Sequence, residues 1–188
     1  MIRSAGMGRG LVQGRDIEAV FHACFTKCFR VRLSGGHIEP IYLPAAGLDS
    51  HAELRYRENY VSSALHEVAH WCIAGWERRQ RIDYGYWYVP DGRSAAQQAA
   101  FARVEVKPQA LEWIFSNAAG IRFHLSVDNL NNGGLSSCGG FGEAVRAQVL
   151  TYLDIGLPPR ADRFVQALST AFESIPPFDP RSYQGLTA

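Results

Sequence analysis

Residues 56–76, YRENYVSSALHEVAHWCIAGW, carry the longest helical periodicity in the chain. Val61, Ala64, Leu65, Val68, Ala69, Cys72, Ile73 and Trp76 recur at three- and four-residue spacing, with no proline between them. The pattern predicts a helix from Tyr56 to Trp76 with one apolar stripe turned to a core. Inside it, residues 66–70 read His-Glu-Val-Ala-His, which sets two imidazoles one turn apart on the same side, where both reach a single ion. At 100° per residue the stripe centres near Ala69 and Cys72, and His66 and His70 fall roughly 120° to 150° round from it. The histidines are therefore not expected in the core. Ser63 and Ala74, both small, flank His70 and leave room for another segment, so a site between helices is expected.

Two histidines alone bind an ion weakly, so a third ligand has to arrive from another element. Val104 to Gly120 predicts a helix in which Pro108 is tolerated because the first turn needs no internal amide donors. Glu105, Gln109, Glu112 and Ser116 form its polar stripe, and Leu111, Ile114, Phe115 and Ala118 its apolar one. A polar stripe ordinarily faces water, and for Glu112 that reading and a place at the site stand equally open. Glu105, held rigidly beside Pro108 at the helix start, is the predicted third ligand. With two histidines and a carboxylate the chemistry forks. Open positions on such a site suit non-haem Fe(II), where dioxygen and substrate both approach the metal. The same ligands suit catalytic zinc, with Glu67 as general base on a metal-bound water, and the motif by itself favours this zinc hydrolase or protease. A purely structural zinc fits poorly, because such sites prefer four closed ligands rich in cysteine and none of the chain's four cysteines lies at a natural fourth position.

Around this centre the chain reads as an alternation of helices and short extended pieces. Asp16 is the predicted N-cap of a helix whose stripe is Ile17, Val20, Phe21, Cys24, Phe25 and Cys28, which makes both cysteines small core residues. Glycines and prolines break residues 34–50, and Ile41, Tyr42 and Leu43 between Pro40 and Pro44 predict a short or edge strand. Asp83 to Tyr88 predicts a strand with a turn at Pro90 to Gly92. Residues 129–142 read as a surface loop, and helices follow near Glu143–Leu153 and Ala161–Ser174. The expected fold is α+β: a single mostly helical domain over residues 16–188, with a few short strands and a zincin-like metal helix. Too few strand signals occur for a double-stranded β-helix barrel.

Bulk properties narrow the classes. The 188 residues suit one domain, and 47% hydrophobic with 20% charged residues argues against disorder. A formal charge of +1 gives no sign of a nucleic-acid or membrane partner. Residues 1–15 hold Arg3, Arg9 and Arg15, four glycines and no acid, and read as a flexible tail. Neither a signal core nor a run of about 18 apolar residues is present, and the cysteines match no ribbon or redox pattern, so a reduced cytoplasmic protein is expected.

Longer runs carry a resemblance. From about Asp16 to Ser174 the chain resembles the elongation factor P hydroxylases, most specifically in Glu39–Ala45 (EPIYLPA), Ala64–Gly75 (ALHEVAHWCIAG), Asp83–Arg93 (DYGYWYVPDGR) and Val104–Trp113 (VEVKPQALEW), with a shorter match at Val127–Leu130 (VDNL). The resemblance implies oxygen-dependent hydroxylation of a lysine of elongation factor P that already bears a β-lysyl group. It implies Fe(II) held by His66, His70 and Glu105, dioxygen as co-substrate, and a reductant that no residue identifies. Glu67 then orients a metal ligand or water without binding the ion. For the substrate, Tyr84, Tyr86, Trp87 and Tyr88 line a channel for the lysine extension or belong in part to a strand's core. Asp91 or Asp128 pairs its ammonium. Arg78, Arg79 and Arg81 either face solvent or dock an acidic partner. The tail before Asp16 and NNGGLSSCGGFG at 131–142 depart from the family, and Cys138 is expected to be exposed and free.

Overall fold

Gln13 opens the first helix, α1 (Gly14–Phe29), and its backbone N–H donates to Asp16 Oδ2 at 2.8 Å. Asp16 is thus not the N-cap predicted for it but the third helical residue, a carboxylate reaching back to the positive end of the helix. The structure, a computed structural model, describes residues 11–47, 49–84, 95–126 and 140–184. Ile17, Phe21, Cys24 and Phe25 are buried as the stripe requires. Cys28 departs from the expectation and is exposed, because the last turn of α1 runs out to the surface before Arg30 ends it in a left-handed conformation (φ 52).

Three strands follow: β1 (Val31–His37), β2 (Ile41–Leu43) and β3 (Ala52–Arg57). Strand β3 lies in the middle, parallel to β1 and antiparallel to β2, which leaves β2 at the edge where its flanking prolines are harmless. Ala52, Leu54 and Tyr56 point inward at period two. Tyr56 therefore ends a strand and does not begin a helix. Its hydroxyl donates to Glu18 Oε1 at 2.8 Å, and the same oxygen accepts from the Gly35 N–H at 2.9 Å, stapling α1 to β1 and β3. A Cβ at Gly35 would lie 2.5 Å from Cζ and Oη of Tyr56 and 2.8 Å from the Glu58 carbonyl. Gly35→Ala is expected to destabilise the protein by about 1–3 kcal/mol. A urea midpoint lowered at constant slope would show this, whereas an unmoved midpoint would mean the Tyr56 ring gives way freely.

The histidine helix, α2 (Val61–Ile73), is shorter at both ends than the sequence suggests. Ala74 turns extended (ψ 125), so Trp76 falls outside the helix and is 69% exposed. α2 packs against β3, α1 and two later helices, α3 (Ala95–Ala118) and α5 (Pro159–Ala171). Phe21, Phe25, Trp71 and Phe164 meet at ring separations of 4.8–6.2 Å and join α1, α2 and α5.

Pro108 lies well inside α3 and not in a first turn, because the Ala- and Gln-rich residues before it extend the helix back to Ala95. The helix gives up one amide bond there, and burial of Ala110, Leu111, Trp113, Ile114 and Phe115 offsets the loss. The polar stripe does not face water. Glu105, Gln109, Glu112 and Ser116 are all 3% exposed or less, because α2 covers that face.

A fourth helix, α4 (Phe141–Ile155), takes in the last two residues of the predicted loop, and α5 starts with Pro159 at its first position. Arg146 and Trp113 receive Tyr183 from a single 3-10 turn, Pro180–Tyr183. Of the predicted strand at 83–88, Asp83 forms an isolated bridge with Tyr42. Tyr86, Trp87, Tyr88, Asp91, Asp128 and Cys138 lie outside the described residues, as do residues 1–10. Those described form a mostly helical α+β arrangement with one three-stranded sheet, and no helix among them is long and apolar enough to cross a membrane.

Candidate metal centre

The packing of α2 on α3 brings His66, His70, Glu105 and Glu112 to one interface. Helical spacing puts the two imidazoles on the same side of α2, with His66 Nε2 and His70 Nε2 3.0 Å apart. From α3, Glu105 Oε2 lies 3.5 Å from His66 Nε2, and Glu105 Oε1 lies 3.4 Å from His70 Nε2. One donor atom from each of the three residues falls within 4.8 Å of the others. His70, expected off the core, is only 8% exposed: α3 closes over the flank of α2 that its own apolar stripe leaves open.

The donor set fits a divalent ion. Metal–ligand bonds of about 2.1 Å at angles of about 90° to 110° require donor separations of about 3.0 to 3.4 Å, close to those found. Glu105 Oε2 is also a buried oxygen without a hydrogen-bond partner among the described residues, which costs free energy unless a cation or proton meets it.

Glu112, one heptad beyond Glu105 on the same face of α3, completes the arrangement. His66 Nδ1 donates to Glu112 Oε2 at 2.8 Å, which orients the ring with Nε2 toward Glu105 and His70. From the sequence, Glu112 stood equally open to water and to the site. The seven-residue spacing from Glu105 was the available signal, since two carboxylates on one stripe face the same neighbour. Gln109, between them, serves elsewhere: its amide clamps Ser126, donating to the carbonyl at 2.6 Å and accepting from the N–H at 3.1 Å.

Charge is distributed accordingly. Burial by itself pulls the His66 imidazole down, but the Glu112 hydrogen bond and the charges of Glu112, Glu105 and Glu67 overcome it and push the pKa up to about 10. Burial likewise opposes ionisation of Glu105, yet His70, His66 and Arg78 hold its carboxyl below the usual range. Glu67 goes the other way, raised chiefly by burial and only partly relieved by the two histidines.

Glu67 shares with His70 a small cleft that is open to solvent, with Tyr42, Leu54, Trp71 and Ala74 among its walls. Arg78, Arg79 and Asp83 line it too. Arg78 is engaged by a two-pronged ion pair with Asp83, and Arg79 lies 5.7 Å from the centre of the Phe29 ring. The basic cluster is therefore not a uniformly solvated face: Arg81 is exposed, while Arg78 and Arg79 are half-buried. Tyr84, at the end of this segment, is 55% exposed.

In this mostly helical α+β protein two histidines of one helix and a carboxylate of another converge beside a cleft as a group that could hold one metal ion. Residues 20–181 match the Elongation factor P hydroxylase (EpmC) family. The chain is also 50% identical over 153 residues to the Elongation factor P lysine hydroxylase of Haemophilus influenzae, a match that spans 81% of this chain and 85% of that one. The protein belongs to the elongation factor P hydroxylase family.

Proposed function

We propose that this protein is a non-haem iron-dependent monooxygenase that hydroxylates the (β-lysyl)-lysine side chain of elongation factor P, a cytoplasmic modification of a translation factor. The observation that carries the reading is the convergence of His66 Nε2, His70 Nε2 and the Glu105 carboxylate at 3.0–3.5 Å, in a member of this family. In this reading α2 is a zincin-like metal helix and residues 16–188 form one catalytic domain. Three protein donors leave coordination positions for dioxygen and substrate. Bound Fe(II) would supply dioxygen activation, so that a C–H bond of the modified lysine becomes C–OH while the second oxygen atom leaves as water with two electrons and two protons from a reductant.

The protein's own residues hold and orient. Glu112 fixes the His66 ring, and burial of Glu105 against α2 excludes competing water from its oxygens. In this reading the Glu67 carboxylate, in the cleft beside His70, meets the ammonium of the extended lysine. Tyr84 and the arginines 78, 79 and 81 then meet the surface of the factor around its modified lysine.

The test is anaerobic titration of metal-free protein with Fe(II), then exposure to air with β-lysylated elongation factor P and a reductant, with mass spectrometry of the lysine peptide. The expected result is a gain of one oxygen atom. If no oxygen is added with any reductant, and zinc binds while peptides are cut, the hydrolase alternative with Glu67 as base replaces this one. Glu67→Gln separates the two mechanisms. Hydroxylation should fall by about 10-fold and persist, because the residue positions and does not ligate, whereas a hydrolase would lose its base and all activity.

A further inference from the structure

The last carbonyls of any helix lack amide partners, and at the C-terminus of α2 a side chain from α5 supplies them. Arg160, the second residue of α5, shares the protons of Nη2 among the carbonyl oxygens of Trp71 at 3.1 Å, Cys72 at 3.0 Å and Ala74 at 2.5 Å. Its guanidinium also lies 4.9 Å from the centre of the Trp71 ring and 5.8 Å from that of Phe29. Arg79 approaches the same two rings, at 6.0 Å and 5.7 Å. Two cations thus share one partly buried place, where both burial and the Arg79 charge act against Arg160. What offsets that cost is the negative end of α2, whose carbonyl dipoles favour a cation there.

The link to the metal centre is short. Ala74, whose carbonyl Arg160 holds, donates its own N–H to the His70 carbonyl at 3.0 Å. Trp71, the next residue after His70, is held through both its carbonyl and its ring. We propose that Arg160 is a positioning residue for the metal site: by locking the last turn of α2, it fixes His70 so that its Nε2 meets His66 and Glu105. This rests on the metal reading given above. Without the guanidinium the turn frays, and the His70 ring loses its orientation toward a carboxylate 3.4 Å away.

Co(II), whose visible absorption reports ligand geometry, is the probe. Arg160→Gln, shown to be folded by circular dichroism, is expected to bind Co(II) about 10-fold more weakly and with an altered spectrum. Arg160→Lys keeps the charge but not the planar fork, and should fall between, at about 3-fold. Arg163→Gln is the control. That guanidinium, one turn along α5, lies 5.7 Å over Phe25 and bonds Cys28 Sγ, so wild-type affinity and spectrum are expected. Wild-type binding by Arg160→Gln overturns the proposal, as does an equal loss in Arg163→Gln, which would mean general loosening of α5. Should Arg160→Gln not fold, a folded Arg160→Lys decides, and unchanged affinity and spectrum in it overturn the proposal equally. If the unaltered protein takes up no Co(II), the metal reading itself falls and this one with it. An unaltered protein that binds beside an indifferent Arg160→Gln sinks only the role of Arg160.

Discussion

His70→Ala is expected to lose both stable Fe(II) and the addition of oxygen to the modified lysine, and His66→Ala and Glu105→Ala should match it. Each removes one of three donors that stand 3.0–3.5 Å apart and leaves a two-donor site. The loss in affinity should exceed the roughly 100-fold that mutating an outer partner costs, because a metal–ligand bond itself is gone. Glu105→Gln is the sharper form for the carboxylate. It keeps the volume of a residue that is 3% exposed while removing the charge, so lost metal in a folded variant is not a packing effect. Metal analysis after anaerobic loading and desalting, paired with mass spectrometry of the lysine peptide, reads both effects. Full oxygen addition by His70→Ala would remove this cluster from the chemistry.

Glu112→Ala is expected to be the next most damaging change, although Glu112 lies outside the predicted ligand set. Its carboxylate accepts the Nδ1 proton of His66 at 2.8 Å, and with it gone the imidazole is free to take the other tautomer and to turn. Metal affinity should fall by about 10- to 100-fold. Glu112→Gln retains an acceptor oxygen in the same place and should lose only about 3-fold. A second readout needs no metal. Glu112 raises the His66 pKa, so NMR titration of the metal-free Glu112→Ala protein should find His66 deprotonating at lower pH than in the unaltered protein. Equal metal affinity in Glu112→Ala and the unaltered protein would dismiss Glu112 from the site.

Much of this was legible in residue order wherever the physics is local. Pro40 and Pro44 confine Ile41–Leu43 to a sheet edge because proline donates no amide, and β2 is at the edge. Elsewhere a distant partner decides. Tyr56 fits the start of the helical stripe as well as the end of a strand. Pairing of β3 with β1 and the Glu18 acceptor made it a strand residue. Cys28 continues the stripe of Cys24, but the helix outruns the surface that covers it. The Ala- and Gln-rich run before Val104 has high helix propensity, and α3 accordingly runs through it with Pro108 in its interior.

The candidate centre divides along the same line. Residue order alone determined that His66 and His70 share one side of a helix, since 3.6 residues per turn is a property of any α-helix and needs no neighbour. It also supplied Glu105 as a carboxylate on a separate polar stripe. Only the tertiary structure decided that this stripe is buried, that it lies against the histidines and not in water, and that Glu112 rather than solvent receives the proton of His66. Those outcomes depend on how α2 and α3 stack. That stacking is set by apolar burial summed over many residues, to which no short stretch of sequence corresponds.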